Sequence, residues 1–234
     1  MNVSLNEFEL LLHDQKYSEK KELSKTLYDD YYQKNYEAIH AALPRVFECY
    51  QQTKDFYYYS LFAQYSLVLS FKERYPLDTK SLNHIQKTLT HYLDSIETWG
   101  VFEFSIFGNT LFVYSTPFIL QTIQNLIKKK ATFERLSTIY QIKKRILSNA
   151  IFLLFDRKEY DTAEQLLPLF ETNLRVEDID GKLLLQYFEG LLQGNEEGWK
   201  TIHRVIETFC FVHMDDYANE LLEYAKKIQL DVVV

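Results

Sequence analysis

The segment from Trp99 to Thr116, WGVFEFSIFGNTLFVYST, is apolar along almost its whole length and dominates the organisation of the chain. It carries one charged residue, Glu103, and one amide, Asn109. Because a helix that is apolar on every side is buried, the pattern predicts a buried helix with Asn109 at its middle. An unpaired buried amide costs about 1–3 kcal/mol. The Asn109 side chain therefore needs partners inside the protein or along a groove.

A second segment repeats this arrangement further along the chain. In KKRILSNAIFLLF, from Lys143 to Phe155, a basic first turn leads into an apolar run that contains Asn149. Arg145 lies one helical turn before Asn149 and on the same helical face. The sequence thus places two amides in two apolar helices, one of them beside a cation.

The composition favours one continuous helical body. The chain has 234 residues, 47% of them hydrophobic and 25% charged, which is enough to bury a sizeable core. Its 6 Gly and 4 Pro are scattered, so the sequence shows no flexible or proline-rich linker. No long stretch alternates apolar and polar residues as a strand does, and the pattern predicts an all-α fold of about eleven helices.

An internal repeat refines this prediction. A Tyr-acid pair followed by a Leu-Pro pair occurs twice, 124 residues apart, at Tyr36-Glu37 with Leu43-Pro44 and at Tyr160-Asp161 with Leu167-Pro168. That separation is three units of about 41 residues, close to the periods of helix-pair repeats. We therefore expect a tetratricopeptide-like right-handed superhelix of antiparallel helix pairs.

Charge and motifs exclude several function classes. The net charge of −7 argues against nucleic-acid binding by this chain alone. Cys49 and Cys210 lie far apart without metal-ligand spacing, and neither catalytic nor nucleotide-binding motifs occur, so we expect no enzyme, no metal and no cofactor. The sequence shows neither a secretory signal nor an uncharged run of transmembrane length, so a cytoplasmic protein without a membrane partner is expected.

The two apolar segments carry a resemblance to a known family. W-G-x-F-E-x-x-x-F-G-N-T-L-F and K-R-I-L-x-N-A-I-F-L-L resemble the sensor domain of Rgg/GadR/MutR peptide-responsive transcription regulators. The start of the chain, Asn2 to Glu9, resembles the join that follows the DNA-binding domain of the family. The resemblance implies a linker helix over residues 1–15 and a helical-repeat domain for peptide binding and dimerisation over 16–234. It also implies that DNA is bound only through a helix-turn-helix domain absent from this chain.

An asparagine in a concave groove can offer its carbonyl and its NH₂ to a peptide backbone, so it binds a peptide without reading its sequence. The resemblance strengthens this interpretation of Asn109 and Asn149. Three further candidates, Phe112, Ile142 and Phe152, would select apolar side chains of the peptide. Arg145 would pair with a peptide carboxylate, and Tyr187 would close the far end of the groove. In the alternative interpretations each amide binds a neighbouring backbone carbonyl, Arg145 forms a surface ion pair, and Tyr187 is a core aromatic residue.

Two functions follow from this pattern. The first is the sensing domain of a quorum-sensing regulator, which binds a short hydrophobic signalling peptide and transmits binding through rearrangement of a homodimer. The second is a helical-repeat adaptor without a small peptide ligand, or a headless regulator that titrates a full-length relative. A groove too wide and too polar for a short peptide would favour the second function.

Overall fold

The computed structural model describes residues 19–128 and 137–232, and every regular element in that part of the chain is helical. The prediction of an all-α fold is therefore confirmed. The α-helices are α1 (Glu19–Tyr32), α2 (Tyr36–Thr53), α3 (Phe56–Phe71), α4 (Thr79–Ser95), α5 (Val101–Asn109), α6 (Thr116–Lys128), α7 (Ser137–Asp156), α8 (Tyr160–Thr172), α9 (Ile179–Gln193), α10 (Glu196–Phe211) and α11 (Asp215–Val232). A short 3-10 helix, Leu111–Val113, lies between α5 and α6.

The helices form two compact units, with the boundary between Ser95 and Ile96. In the first unit α1 packs on α2, α2 on α3, and α3 on α4. In the second unit α5 and α8 both pack on α7, and the series continues from α8 through α9 and α10 to α11. Each unit therefore buries its apolar helix faces mainly between neighbours in sequence.

One kind of tight turn joins many of these neighbours. A residue in the left-handed region, with φ between 57° and 61°, is followed by one further residue and then by the next helix; these residues are Lys34, Lys54, Lys158, Gly194 and His213. In three of the turns the intervening side chain caps the new helix: Asn35, Asp55 and Asn195 accept hydrogen bonds from the backbone N–H of Ala38, Tyr57 and Gly198. Such short connections make the joined helices antiparallel neighbours.

The internal sequence repeat corresponds to equivalent helices, one in each unit. Both α2 and α8 begin at the tyrosine of the motif, Tyr36 and Tyr160, and each follows a left-handed lysine. Each helix also continues through the proline of the motif, Pro44 or Pro168.

The prediction of one helix through Trp99–Thr116 is wrong. Helix α5 ends at Asn109, so this residue lies at a helix end and is exposed rather than buried at the middle of a helix. The guanidinium of Arg157 donates hydrogen bonds to the carbonyl oxygens of Phe112, at 3.3 Å, and Tyr114, at 2.7 Å. These bonds satisfy carbonyl groups that the interrupted helix leaves without helical partners.

Three further sequence predictions concern the start of the chain, the start of α6 and the absence of a membrane-spanning segment. The expected linker helix over residues 1–15 lies outside the described residues. Helix α6 begins at Thr116, and Pro117 lies in its first turn, where the missing backbone N–H of proline costs no helical hydrogen bond. None of the helices in residues 19–128 and 137–232 combines the length and the apolar character that crossing a membrane requires.

Candidate functional site

An open groove of about 720 Å³ lies in the second unit. Its residues come from three helices, with most of them on α7 and the rest on α9 and α11. They are Thr138, Gln141, Ile142, Lys144, Arg145, Ser148, Asn149, Phe152, Asp180, Leu184 and Tyr217. The volume is in the range typical of ligand pockets in proteins, roughly 300–1,000 Å³.

Helix α7 presents polar side chains to this groove. Asn149 and Arg145 both line it and both are exposed. Within the part of the chain that the structure describes, neither side chain makes a hydrogen bond or an ion pair. Gln141, one turn further towards the start of α7, is also exposed and shares this lack of partners among the described residues. The groove therefore offers two amides and one cation to a ligand.

The apolar part of the groove is anchored in the core. Ile142 is only 8% exposed, and Phe152 is half-buried. The Phe152 ring packs against Phe188 and Tyr224, with ring centroids 4.8 Å and 5.1 Å away. The hydroxyl of Tyr224 also donates a 2.9 Å hydrogen bond to the Phe152 carbonyl oxygen, which fixes α11 against α7. These contacts make the apolar surface of the groove rigid.

A polar network fixes the other wall. The Lys144 ammonium donates to Asp178 Oδ1 at 2.9 Å and to Asp180 Oδ2 at 2.8 Å, so it joins α7 to the start of α9. Asp178 caps α9 by accepting from the Gly181 N–H at 3.0 Å, and it accepts a further hydrogen bond from the Tyr140 hydroxyl. Lys144 and Asp178 have side chains that are 10% and 4% exposed. The network is thus a nearly buried junction between two groove walls.

The environment of this junction favours its charged form. Burial alone would raise the pKa of Asp178, but hydrogen bonding with Asp180, Tyr140, Lys144 and the Gly181 N–H outweighs it and holds the pKa well below its ordinary value. Burial would lower the pKa of Lys144, yet the carboxylates of Asp180 and Asp178 raise it overall. Burial and the bond to Asp178 raise the pKa of Tyr140. The ion pair is therefore stable around neutral pH.

The remaining predicted site residues lie elsewhere. Neither Asn109 nor Phe112 lines the groove; both belong to the α5–α6 region, which Arg157 contacts through the Phe112 carbonyl oxygen. Tyr187 is 0% exposed, and its hydroxyl donates a 2.7 Å hydrogen bond to the Leu221 carbonyl oxygen. Its ring centroid lies 6.3 Å from that of Phe152, so Tyr187 packs against a groove residue from within the core.

The structure thus brings together the predicted residues of α7 and adds others. Asn149, Arg145, Ile142 and Phe152 share the groove. Gln141 could have been found, because it precedes Arg145 by four residues as Arg145 precedes Asn149. No local sequence pattern identifies the groove residues that α9 and α11 contribute, which are Asp180, Leu184 and Tyr217.

The described residues contain no cluster of side chains that could bind a metal ion. Across ranges 19–128 and 137–232, His, Cys, Asp and Glu nowhere gather in groups of three that could hold an ion. The carboxylate that lines the groove, Asp180, and the nearby buried Asp178 both form ion pairs with Lys144 instead. The arrangement is suited to non-covalent recognition through amides, a cation and apolar surface.

A match to a known protein family shows how this chain is related to other proteins. Residues 13–223 match the C-terminal domain of the HTH-type transcriptional regulator Rgg. The chain belongs to the Rgg family. The resemblance noted from its apolar segments is thereby confirmed, and the family is one of transcriptional regulators.

Solved structures share the fold of this Rgg domain. It is similar to the Streptococcus dysgalactiae SHP pheromone receptor Rgg2, with a TM-score of 0.69 and 20% identity, over 97% of this chain and 88% of that one. RopB gives a TM-score of 0.69 at 20% identity, over 91% of this chain and 93% of the other. The PrgX/cCF10 complex gives 0.62 at 17% identity, over 97% and 86%.

Proposed function

We propose that this Rgg domain is the ligand-sensing part of a transcription regulator and binds a short hydrophobic signalling peptide in the groove along α7. The observation that carries the proposal is the Asn149 side chain, an exposed amide in the groove wall without a hydrogen-bond partner in the described structure. An amide side chain can accept from a peptide N–H and donate to a peptide C=O at once.

The surroundings of Asn149 support a peptide as the ligand. Ile142, Phe152 and Leu184 offer apolar surface beside the amide, which suits hydrophobic side chains. Arg145 provides a guanidinium that no described carboxylate neutralises, and it would pair with the C-terminal carboxylate or an acidic side chain of the peptide. The relatives of known structure include a pheromone receptor and the PrgX/cCF10 complex, which agrees with a sensing role.

Transmission of binding would require two states of the regulator. Peptide binding would favour one arrangement of a homodimer over another, and a helix-turn-helix domain would convert this shift into altered DNA binding. Such a protein would meet its peptide and its DNA in the cytoplasm. Sedimentation of the chain with and without peptide tests this part separately, since a monomer in both conditions would exclude the dimer mechanism.

The groove assignment is tested by peptide binding to the whole chain. A fully randomised octapeptide library is selected on the protein, and the affinities of recovered synthetic octapeptides are measured by calorimetry. Asn149→Ala should weaken binding about tenfold, because both hydrogen bonds of the amide are lost. The matched control Asn125→Ala removes an amide that is also exposed, on α6 and outside the groove, and should leave the affinity unchanged.

Two other results would contradict the proposal. Equal binding by Asn149→Ala would exclude the groove amide as a peptide contact. Failure to recover any octapeptide would exclude the peptide sensor and favour a helical-repeat adaptor that binds whole proteins.

A further inference from the structure

We infer that Gln141 is a second backbone-binding residue and that Gln141 and Asn149 hold the peptide in an extended conformation, four peptide residues apart. This inference rests on the proposed function and adds the conformation and register of the ligand. Its starting point is the row formed on α7 by Gln141, Arg145 and Asn149, three groove residues separated by four positions each.

The spacing of this row matches an extended peptide. Four residues of α-helix rise about 6 Å, so Gln141 and Asn149 are separated by about 12 Å along α7. Two residues of an extended chain span about 6.6 Å, and four span about 13 Å. In such a chain the N–H and C=O of alternate residues point to the same side. Each step along the helical row therefore meets the backbone groups of every second peptide residue.

The chemistry of the row fits the same arrangement. Gln141 and Asn149 have amides, which both donate and accept, whereas Arg145 between them can only donate. All three side chains are exposed and have no partner in the described residues, so a peptide would replace their hydrogen bonds to water and break none within the described part of the protein. Because the side chains of an extended chain project at right angles to its backbone N–H and C=O groups, those of the peptide would not block the contacts of the backbone with this row.

A helical ligand would not satisfy this row. The interior N–H groups of an α-helix donate to the carbonyl four residues earlier and are unavailable to amides of the receptor. The extended and helical alternatives therefore differ in which peptide N–H groups contribute to binding. Replacing single peptide bonds by ester bonds removes one N–H at a time and reveals those groups.

The experiment uses the tightest octapeptide recovered from the randomised library and its set of single ester analogues. We expect two of the sensitive N–H groups to lie four residues apart, each worth about threefold to tenfold in affinity. Gln141→Met should abolish the ester effect at one of them only, and Asn149→Ala should abolish it at the other. Gln165→Met, an exposed glutamine of α8 outside the groove, is the control and should change neither.

The outcomes separate this inference from the function on which it rests. If the octapeptide binds and depends on Asn149, but Gln141→Met couples to no ester position, the extended register is wrong and the peptide sensor stands. Coupling of the two variants to positions not four residues apart would also overturn the register. If no octapeptide binds, both the function and the register are excluded.

Discussion

Lys144 and Asp178 form an ion pair, with 2.9 Å between Nζ and Oδ1, that fixes helix α7 to the start of α9 beside the groove. The pair is not isolated, because Asp178 also accepts from the Gly181 N–H and from the Tyr140 hydroxyl. Burying charges is favourable only when further hydrogen bonds compensate the lost hydration. The junction therefore holds the groove walls in place before any ligand arrives.

Breaking this junction should be costly. Asp178→Asn leaves the Lys144 ammonium without its most buried charged partner, while the Asn side chain can still cap α9, so we expect a loss of roughly 3 kcal/mol in the free energy of unfolding. The matched control is Asp156→Asn, whose ion pair with Lys227 is much more exposed and should be worth less than about 1 kcal/mol. Urea unfolding of both variants measures the two values. Equal effects would contradict a structural role of the Asp178 junction.

The same junction predicts a dependence of stability on pH. Because the folded state holds the pKa of Asp178 below its ordinary value, the carboxylate stabilises the fold above the unfolded pKa of about 3.9. This contribution is lost progressively as the pH falls below about 4 towards the folded pKa. The difference in unfolding free energy between wild type and Asp178→Asn should therefore shrink between pH 7 and pH 3. A constant difference would mean that the pKa of Asp178 is the same in the folded and the unfolded protein.

The sequence predicted the α7 part of this site because its signal is local. Arg145 and Asn149 are one helical turn apart, and a charge and an amide embedded in an apolar run identify the polar edge of a packed helix. The end of α5 at Asn109 was missed because apolar residues continue on both sides of Gly108-Asn109-Thr110, although Gly and Asn are typical of helix ends. That end depends on Arg157, a residue far along the chain that supplies hydrogen bonds to the interrupted backbone.

Substitution of Tyr187 tests whether this residue stabilises the core. Its ring is fully buried and its hydroxyl donates to the Leu221 carbonyl oxygen, so Tyr187→Phe should lose about 1 kcal/mol of stability by leaving that carbonyl without its partner. For a domain of this size the melting temperature should fall by about 2–4 °C. Tyr32→Phe, on a side chain that is 65% exposed, is the control and should leave it unchanged. Unchanged stability in Tyr187→Phe would contradict the importance of this hydrogen bond.

Helices α9 and α10 cross at two glycines and should not tolerate a methyl group there. A Cβ atom at Gly198 would lie 2.4 Å from the Gly190 carbonyl oxygen, which is backbone and cannot move aside as a flexible side chain can. We expect Gly198→Ala to lower the unfolding free energy by about 1–3 kcal/mol through overpacking. Gly100→Ala is the control, because the nearest atom there is 3.5 Å away. Thermal unfolding should show the larger loss only for Gly198→Ala.

Arg145 should make peptide binding sensitive to salt. Its guanidinium lines the groove and forms no ion pair within the described residues, so a peptide carboxylate would be its counter-charge. Arg145→Gln removes the charge but keeps hydrogen-bonding capacity, and it should weaken binding of the selected octapeptide about tenfold at low salt. Between about 0.01 M and 1 M NaCl the Debye length falls from about 30 to 3 Å, so the wild-type affinity should fall steeply while that of the variant changes little.

A control variant and a modified peptide show whether the salt dependence comes from Arg145 and which peptide carboxylate it binds. Arg204→Gln removes a charge that is also exposed, on α10 and outside the groove, and should retain the salt dependence of the wild type. Amidation of the octapeptide C-terminus distinguishes the two carboxylates that Arg145 could bind, because it abolishes the effect of Arg145→Gln only if the terminus is the partner. If Arg145→Gln and wild type show the same affinity and the same salt slope, Arg145 takes no part in recognition and the groove selects its peptide through amides and apolar contacts alone.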